Sequence, residues 1–214
     1  MQWMRTRVRI RLQRLSCAAA MVALLALPGS PLASDESRAA ATLRTTVEAA
    51  LEVLGDEALS AAQKREQVEA LVEERFDFVI IARLVVARGW RRFSETEREE
   101  FIAEFKRHLS TTYGRRLEAY DNEKIEFGDT RVESNGDITC NTRIVGGAAG
   151  SGVDINYRMR SKQGEAYVID VIIEGVSLVQ NFRAQIKELL QGSTPGELIE
   201  KLRDKNASEA EAGA

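Results

Sequence analysis

A chain with one histidine, His108, cannot assemble a multi-histidine metal site, and 214 residues offer no second imidazole. Cysteine is nearly as scarce. Cys17 falls in the leader described next, which leaves Cys140 alone and excludes an internal disulfide. No G-x-S-x-G elbow occurs. The glycine-rich GGAAGSG at 146–152 is followed by a strand pattern and by no Lys-Ser/Thr pair, so it reads as a hairpin loop and not a phosphate cradle. Long hydrophobic runs are also missing: the longest, Leu15 to Leu27, spans 13 residues, short of the ~20 that a bilayer-crossing helix needs.

That short run has a context of its own. Five arginines precede it, no acid interrupts it, and the small-residue stretch PGSPLAS closes it. Residues 1–33 therefore read as a secretory signal peptide, cleaved near Ala33, and the remainder as an exported protein. Removing them takes five of the 30 basic residues and none of the 33 acids. The exported chain keeps 25 against 33, a net charge of −8. Nucleic acid is a poor partner for such a chain, and an anionic membrane surface should repel it.

What remains divides into a helical half and a stranded half. Apolar residues from Thr42 to Leu54 recur at helical spacing. Ser60 with Gln63 forms a capping box for a second helix, and Asp77 caps a third, Phe78 to Arg88, whose apolar residues leave little polar face. Ser94 with Glu97 opens a fourth helix on which Phe101, Phe105, Leu109, Tyr113, Leu117 and Tyr120 fall on one line. Beyond residue 121 the period drops to two. KIEF, ITCNTRIV, VDINYRMR and AYVIDVIIE read as four antiparallel strands joined by short turns. Strict alternation gathers Val153, Ile155 and Tyr157 of the third strand with Ile169, Val171 and Ile173 of the fourth on one apolar face, and turns Val168 and Ile172 outward. A closing helix should follow Gly175, then a short helix Gly196 to Arg203. The tail 207–214 has nothing to bury and is expected to be disordered.

Chemistry-bearing residues are few. His108 reads as a surface or boundary residue beside the apolar line, and Cys140 as a small core residue. Asp154 and Asp170 have no spacing that supports acid–base work. No catalytic residue and no metal ligand is expected.

Two stretches resemble a known family. FDFVIIARLVVARGWRRFSETEREEFIAEFKRHLSTTYGRRLEAY resembles a run in MlaC-type periplasmic phospholipid-binding proteins, also called toluene-tolerance or ABC-transporter auxiliary proteins. VIDVIIEGVSLVQNFRAQIKELL is similar to that family's D-V-x-x-E-G-V-S-L-V-x-N-[YF]-R signature. The resemblance covers about residues 40 to 205. It implies an α+β fold: a curved antiparallel four-stranded sheet wrapped by helices, an NTF2-like cone with an apolar cavity, here spanning 34–206. It also implies a non-enzymatic monomer with no cofactor, carrying diacyl phospholipid as cargo. Its partners would be an outer-membrane lipoprotein–porin complex and an inner-membrane ABC transporter with an MCE-domain subunit, between which it would maintain outer-membrane lipid asymmetry. GGAAGSG lacks the prolines common in the family's corresponding loop. On this reading Val153, Ile155, Tyr157, Val171, Ile173 and Val176 line the cavity from the sheet, and Phe101, Phe105, Leu109 and Tyr113 face them from the fourth helix. The same fold could instead serve a small-ligand binder, an enzyme or an exported interaction module.

Overall fold

In a computed structural model of the chain, the described residues form six α-helices and five strands, and the first strand follows the change of period near residue 121. The structure describes residues 34–118, 120, 122–147 and 152–212. The signal segment lies outside them, as do 148–151 of the glycine-rich loop.

Helices come first: α1 Asp35–Gly55, α2 Ala61–Arg75, α3 Phe78–Val86, a 3-10 turn Ala87–Arg92, and α4 Glu95–Glu118. Their starts obey local chemistry. Ser60 Oγ accepts from the Gln63 amide at 3.3 Å while Gln63 Oε1 accepts from the Ser60 amide at 3.0 Å. Asp77 Oδ1 accepts from the Ile80 amide at 2.9 Å, and Glu97 Oε2 from the Ser94 amide at 2.8 Å. Each bond satisfies a backbone donor that a helix end leaves open.

The sheet follows in simple order, β1 Lys124–Val132, β2 Ile138–Val145, β3 Val153–Lys162, β4 Glu165–Ile173 and β5 Val176–Ser177, each antiparallel to the last. It is an open sheet of five strands, not four. The fifth arises because Glu174 and Gly175, at φ 48° and 79°, make a two-residue hairpin before α5 (Leu178–Leu190) begins. The last helix, α6, runs Pro195–Ala212, well past Arg203. Residues 207–212, expected to be disordered, are helical.

Two cores result. One is wholly helical: Ile81 and Val85 of α3, Phe101 and Phe105 of α4, Phe182 and Ile186 of α5, and Leu198 of α6 pack together with Phe93. The other sets Ala39 and Leu43 of α1 against Ile138, Cys140, Met159 and Val168 of the sheet. Phe76 packs against both. The adjacent Asp77 amide donates to the Val168 carbonyl at 3.0 Å, which ties the helical layer to the open edge of β4.

Candidate apolar binding face

Register decides which side chains share the face under α1. Across β2, β3 and β4 the rows read Ile138–Met159–Val168, Cys140–Tyr157–Val171 and Thr142–Ile155–Ile173, and Ile144–Val153 continue beyond. Cross-strand partners point to the same side of a sheet. Val153, Ile155, Tyr157, Val171 and Ile173 therefore do lie on one face. Val168 does not point away from them. The register of β3 against β4 shifts between Arg158 and Met159, so Val168 pairs with Met159 and Ile169 becomes the extra residue. A bulge of this kind reverses the alternation along one strand.

Burial along that face is graded. The first row is sealed, with Ile138, Met159 and Val168 at 1%, 0% and 2% exposure. Toward the glycine-rich loop the apolar side chains Tyr157, Val171, Ile155, Ile173, Ile144 and Val153 are only half-buried, as are Ile125 and Phe127 of β1 and Val47 of α1. Tyr157 carries a polar tip into this region. Desolvation alone pushes its phenol up to about 12, so it stays protonated and uncharged at neutral pH. The arrangement can shelter hydrocarbon, and Tyr157 is its polar landmark.

The helix-four residues are elsewhere. Phe101 and Phe105, at 0% and 1% exposure, belong to the helical core, where Phe105 meets the Phe182 ring edge-on at 5.2 Å. They do not face the sheet. Leu109 and Tyr113, one and two turns further on, are half-buried at the margin of that same helical core. The Leu117 side chain falls outside the described residues, and Tyr120 lies beyond the end of α4. Val176, expected to line the cavity, opens the two-residue β5 and is 58% exposed. Helical periodicity reveals that a stripe is buried, not what buries it.

The remaining candidates have structural duties. Asp170 is 2% exposed and accepts from Ser177 Oγ at 2.6 Å, the Val179 amide at 3.0 Å and Arg158 Nη1 at 3.5 Å. Its carboxylate fixes the β4–α5 junction. Cys140 is 2% exposed, and burial pushes its thiol up, away from the reactive thiolate. His108 is buried at 4%, not at the surface. Among the described residues no group of three His, Cys, Asp or Glu side chains could hold a metal ion. No helix among them is long and apolar enough to cross a membrane.

The opposite face of the sheet is polar. A groove of about 650 Å³ opens there, lined by Arg131, Thr139, Asn141, Asn156, Arg158 and Ser177. This is the wet side that alternation predicts for an antiparallel sheet covered on one face.

Comparison with known proteins bears on what the apolar face is for. A sequence model of the family described as "MlaC protein" matches residues 44–204. A search of curated proteins finds no match. Among solved structures, the fold is similar to that of a phospholipid-binding protein from Ralstonia solanacearum, solved in complex with a phospholipid. That protein is 23% identical, with a TM-score of 0.71 over 80% of this chain and 98% of its own.

Proposed function

This chain belongs to the MlaC family, and from that premise we propose that it is a periplasmic carrier of diacyl phospholipid. The acyl chains lie against the half-buried rows of the sheet under α1, and the headgroup stays outside. One observation carries the reading: a continuous set of apolar side chains that the fold gathers on one face and then fails to seal at one end. The phospholipid bound by the similarly folded Ralstonia protein supports the same cargo.

Physical cost explains why such a carrier is needed. Exposing hydrocarbon to water costs about 0.8 kcal/mol per methylene, so a chain of ~16 carbons costs roughly 12 kcal/mol. Sheltering that chain needs a dry surface and no catalytic group, and the protein acts as a binder and not an enzyme. Residues 1–33 direct export and are removed near Ala33; 34–206 form the binding domain. The carrier works as a monomer. It moves cargo between an outer-membrane lipoprotein–porin complex and an inner-membrane ABC transporter with an MCE-domain subunit, which maintains lipid asymmetry.

The test is extraction. Protein recovered without detergent from the periplasm of cells expressing the full chain should yield diacyl phospholipid in stoichiometric amount by mass spectrometry. Val153→Asp and Val171→Asp should each lower that yield while the protein stays folded by circular dichroism. A lipid-free protein that also takes none from vesicles would refute the reading.

A further inference from the structure

Residues 78–94, FVIIARLVVARGWRRFS, contain four arginines and no acid, in a chain whose acids outnumber its bases. Folding puts them on α3 and the 3-10 turn. The side chains of Arg83, Arg88 and Arg91 are exposed and have no ion pair or hydrogen bond among the described residues. Three further guanidiniums are anchored beside them by backbone carbonyls: Arg92 donates to Ser193 O at 2.7 Å, Arg98 to Trp90 O at 3.4 Å, and Arg183 to Leu84 O at 2.7 Å. A carbonyl fixes a guanidinium without cancelling its charge. The neighbouring carboxylates of Glu97 and Glu197 are held by helix capping, accepting from the Ser94 and Thr194 amides at 2.8 and 2.7 Å.

Apolar groups sit among these charges. Val79, one helical turn before Arg83, is 52% exposed, and the half-buried Trp90 ring lies 5.5 Å below the Arg98 guanidinium. The support is firm. Gly89 lies so close to α5 that a Cβ there would come within 2.4 Å of Leu190 Cδ2, and Ala87 takes φ 53° to turn the chain out of α3.

We propose that this face is a docking surface that seats the protein on the phosphates of an anionic phospholipid bilayer. Guanidinium forks match phosphate oxygens in pairs. Aliphatic and indole groups between cations suit the headgroup boundary. The net charge of −8 opposes contact through the rest of the molecule, so docking is confined to one orientation. The choice of a lipid surface over an acidic protein rests on the carrier reading.

Vesicle sedimentation tests it. The periplasmic protein should sediment with vesicles of phosphatidylglycerol and phosphatidylethanolamine but not with phosphatidylcholine, and binding should fall as salt rises from about 50 to about 300 mM. Replacing Arg83, Arg88 and Arg91 together by Glu should weaken partitioning at least ~10-fold; the Gln triple variant, a milder change should the Glu variant fail to fold, should also weaken it. Bound lipid, measured on the same preparations before vesicles are added, should be unchanged. Wild-type protein with no preference for anionic vesicles, or variants that partition like wild type, would overturn the proposal, as would binding only when an acidic membrane protein is present. Wild-type protein that carries no lipid before vesicles are added, and takes none from them, would count against the carrier reading separately.

Discussion

At the scale of single residues, His108 exchanges water for a buried, hydrogen-bonded setting. Its Nδ1 lies 3.0 Å from Asn206 Oδ1, and its ring meets Phe182 edge-on at 5.6 Å. The Asn206 amide nitrogen donates to Glu104 O at 2.9 Å and Glu104 Oε2 at 3.1 Å, so Oδ1 is left to accept and Nδ1 carries the histidine proton. Burial first, and Lys205 second, hold the imidazole below its usual 6.5, while Glu209 and the Asn206 bond pull the other way. The unfolded chain therefore takes up a proton before the folded one does. Stability from this site is complete above about pH 6.5 and declines as pH falls through that value toward the lowered folded pKa. Urea unfolding at pH 7.5 and 5 should show a larger loss in wild type than in His108→Gln, because shared carboxylate effects cancel in the comparison. An equal or larger loss in the variant would contradict the assignment. Gly89→Ala makes a second case: the clash with Leu190 should cost about 1–2 kcal/mol. Combining it with Leu190→Ala should recover part of that cost in a double-mutant cycle. Neither role was readable beforehand. His108 adjoins the apolar line of α4, and only the arrival of α6 on a second face of that helix buries it.

Among the elements, the join from β4 to α5 concentrates the family signature. In VIDVIIEGVSLV each polar or small residue has a geometric part: Asp170 gathers three donors, Glu174 and Gly175 make the turn, and Ser177 Oγ caps α5 by accepting from the Gln180 amide at 3.0 Å. Asp170→Ala would leave the Ser177 hydroxyl, the Val179 amide and Arg158 without their acceptor. A loss of about 2–4 kcal/mol is expected in urea unfolding, with Asp170→Asn costing less because one carbonyl oxygen remains. A loss below 1 kcal/mol for the alanine variant would mean that water replaces the carboxylate and that the junction is not held by it. Contrast this with the caps at Ser60, Asp77 and Ser94. Those were legible in the sequence because donor and acceptor lie within three residues of each other. The bulge in β4, the fifth strand and the length of α6 were not. The bulge is set by Val168 pairing with Met159, 9 residues away, and the length of α6 by contacts such as Asn206 on Glu104 across 102 residues; the fifth strand pairs locally, Ile173 with Val176, but its 2 residues are too short to show a period.

Taken as one molecule, the protein separates a tightly packed helical core from an apolar sheet face sealed at only one end, and Phe76 couples the two. The sheet half of the candidate site was legible, since a period of two fixes which side chains share a face; the helical half was not, because Phe101 and Phe105 satisfy their burial against Phe182 instead. This division makes a prediction that either half alone would not. A cargo that binds only the folded protein stabilises it by RT ln(1 + [L]/Kd), about 2.7 kcal/mol at 100-fold excess over Kd. Delipidated protein should therefore melt lower than loaded protein and recover when incubated with phospholipid vesicles. Phe105→Ala should lower both melting temperatures, through a core loss of about 3–5 kcal/mol, and leave the gap between them intact. Ile155→Asp should leave the helical core alone and close the gap. If Phe105→Ala closes it and Ile155→Asp does not, the hydrocarbon lies among the helices, and the unsealed end of the sheet is only a surface.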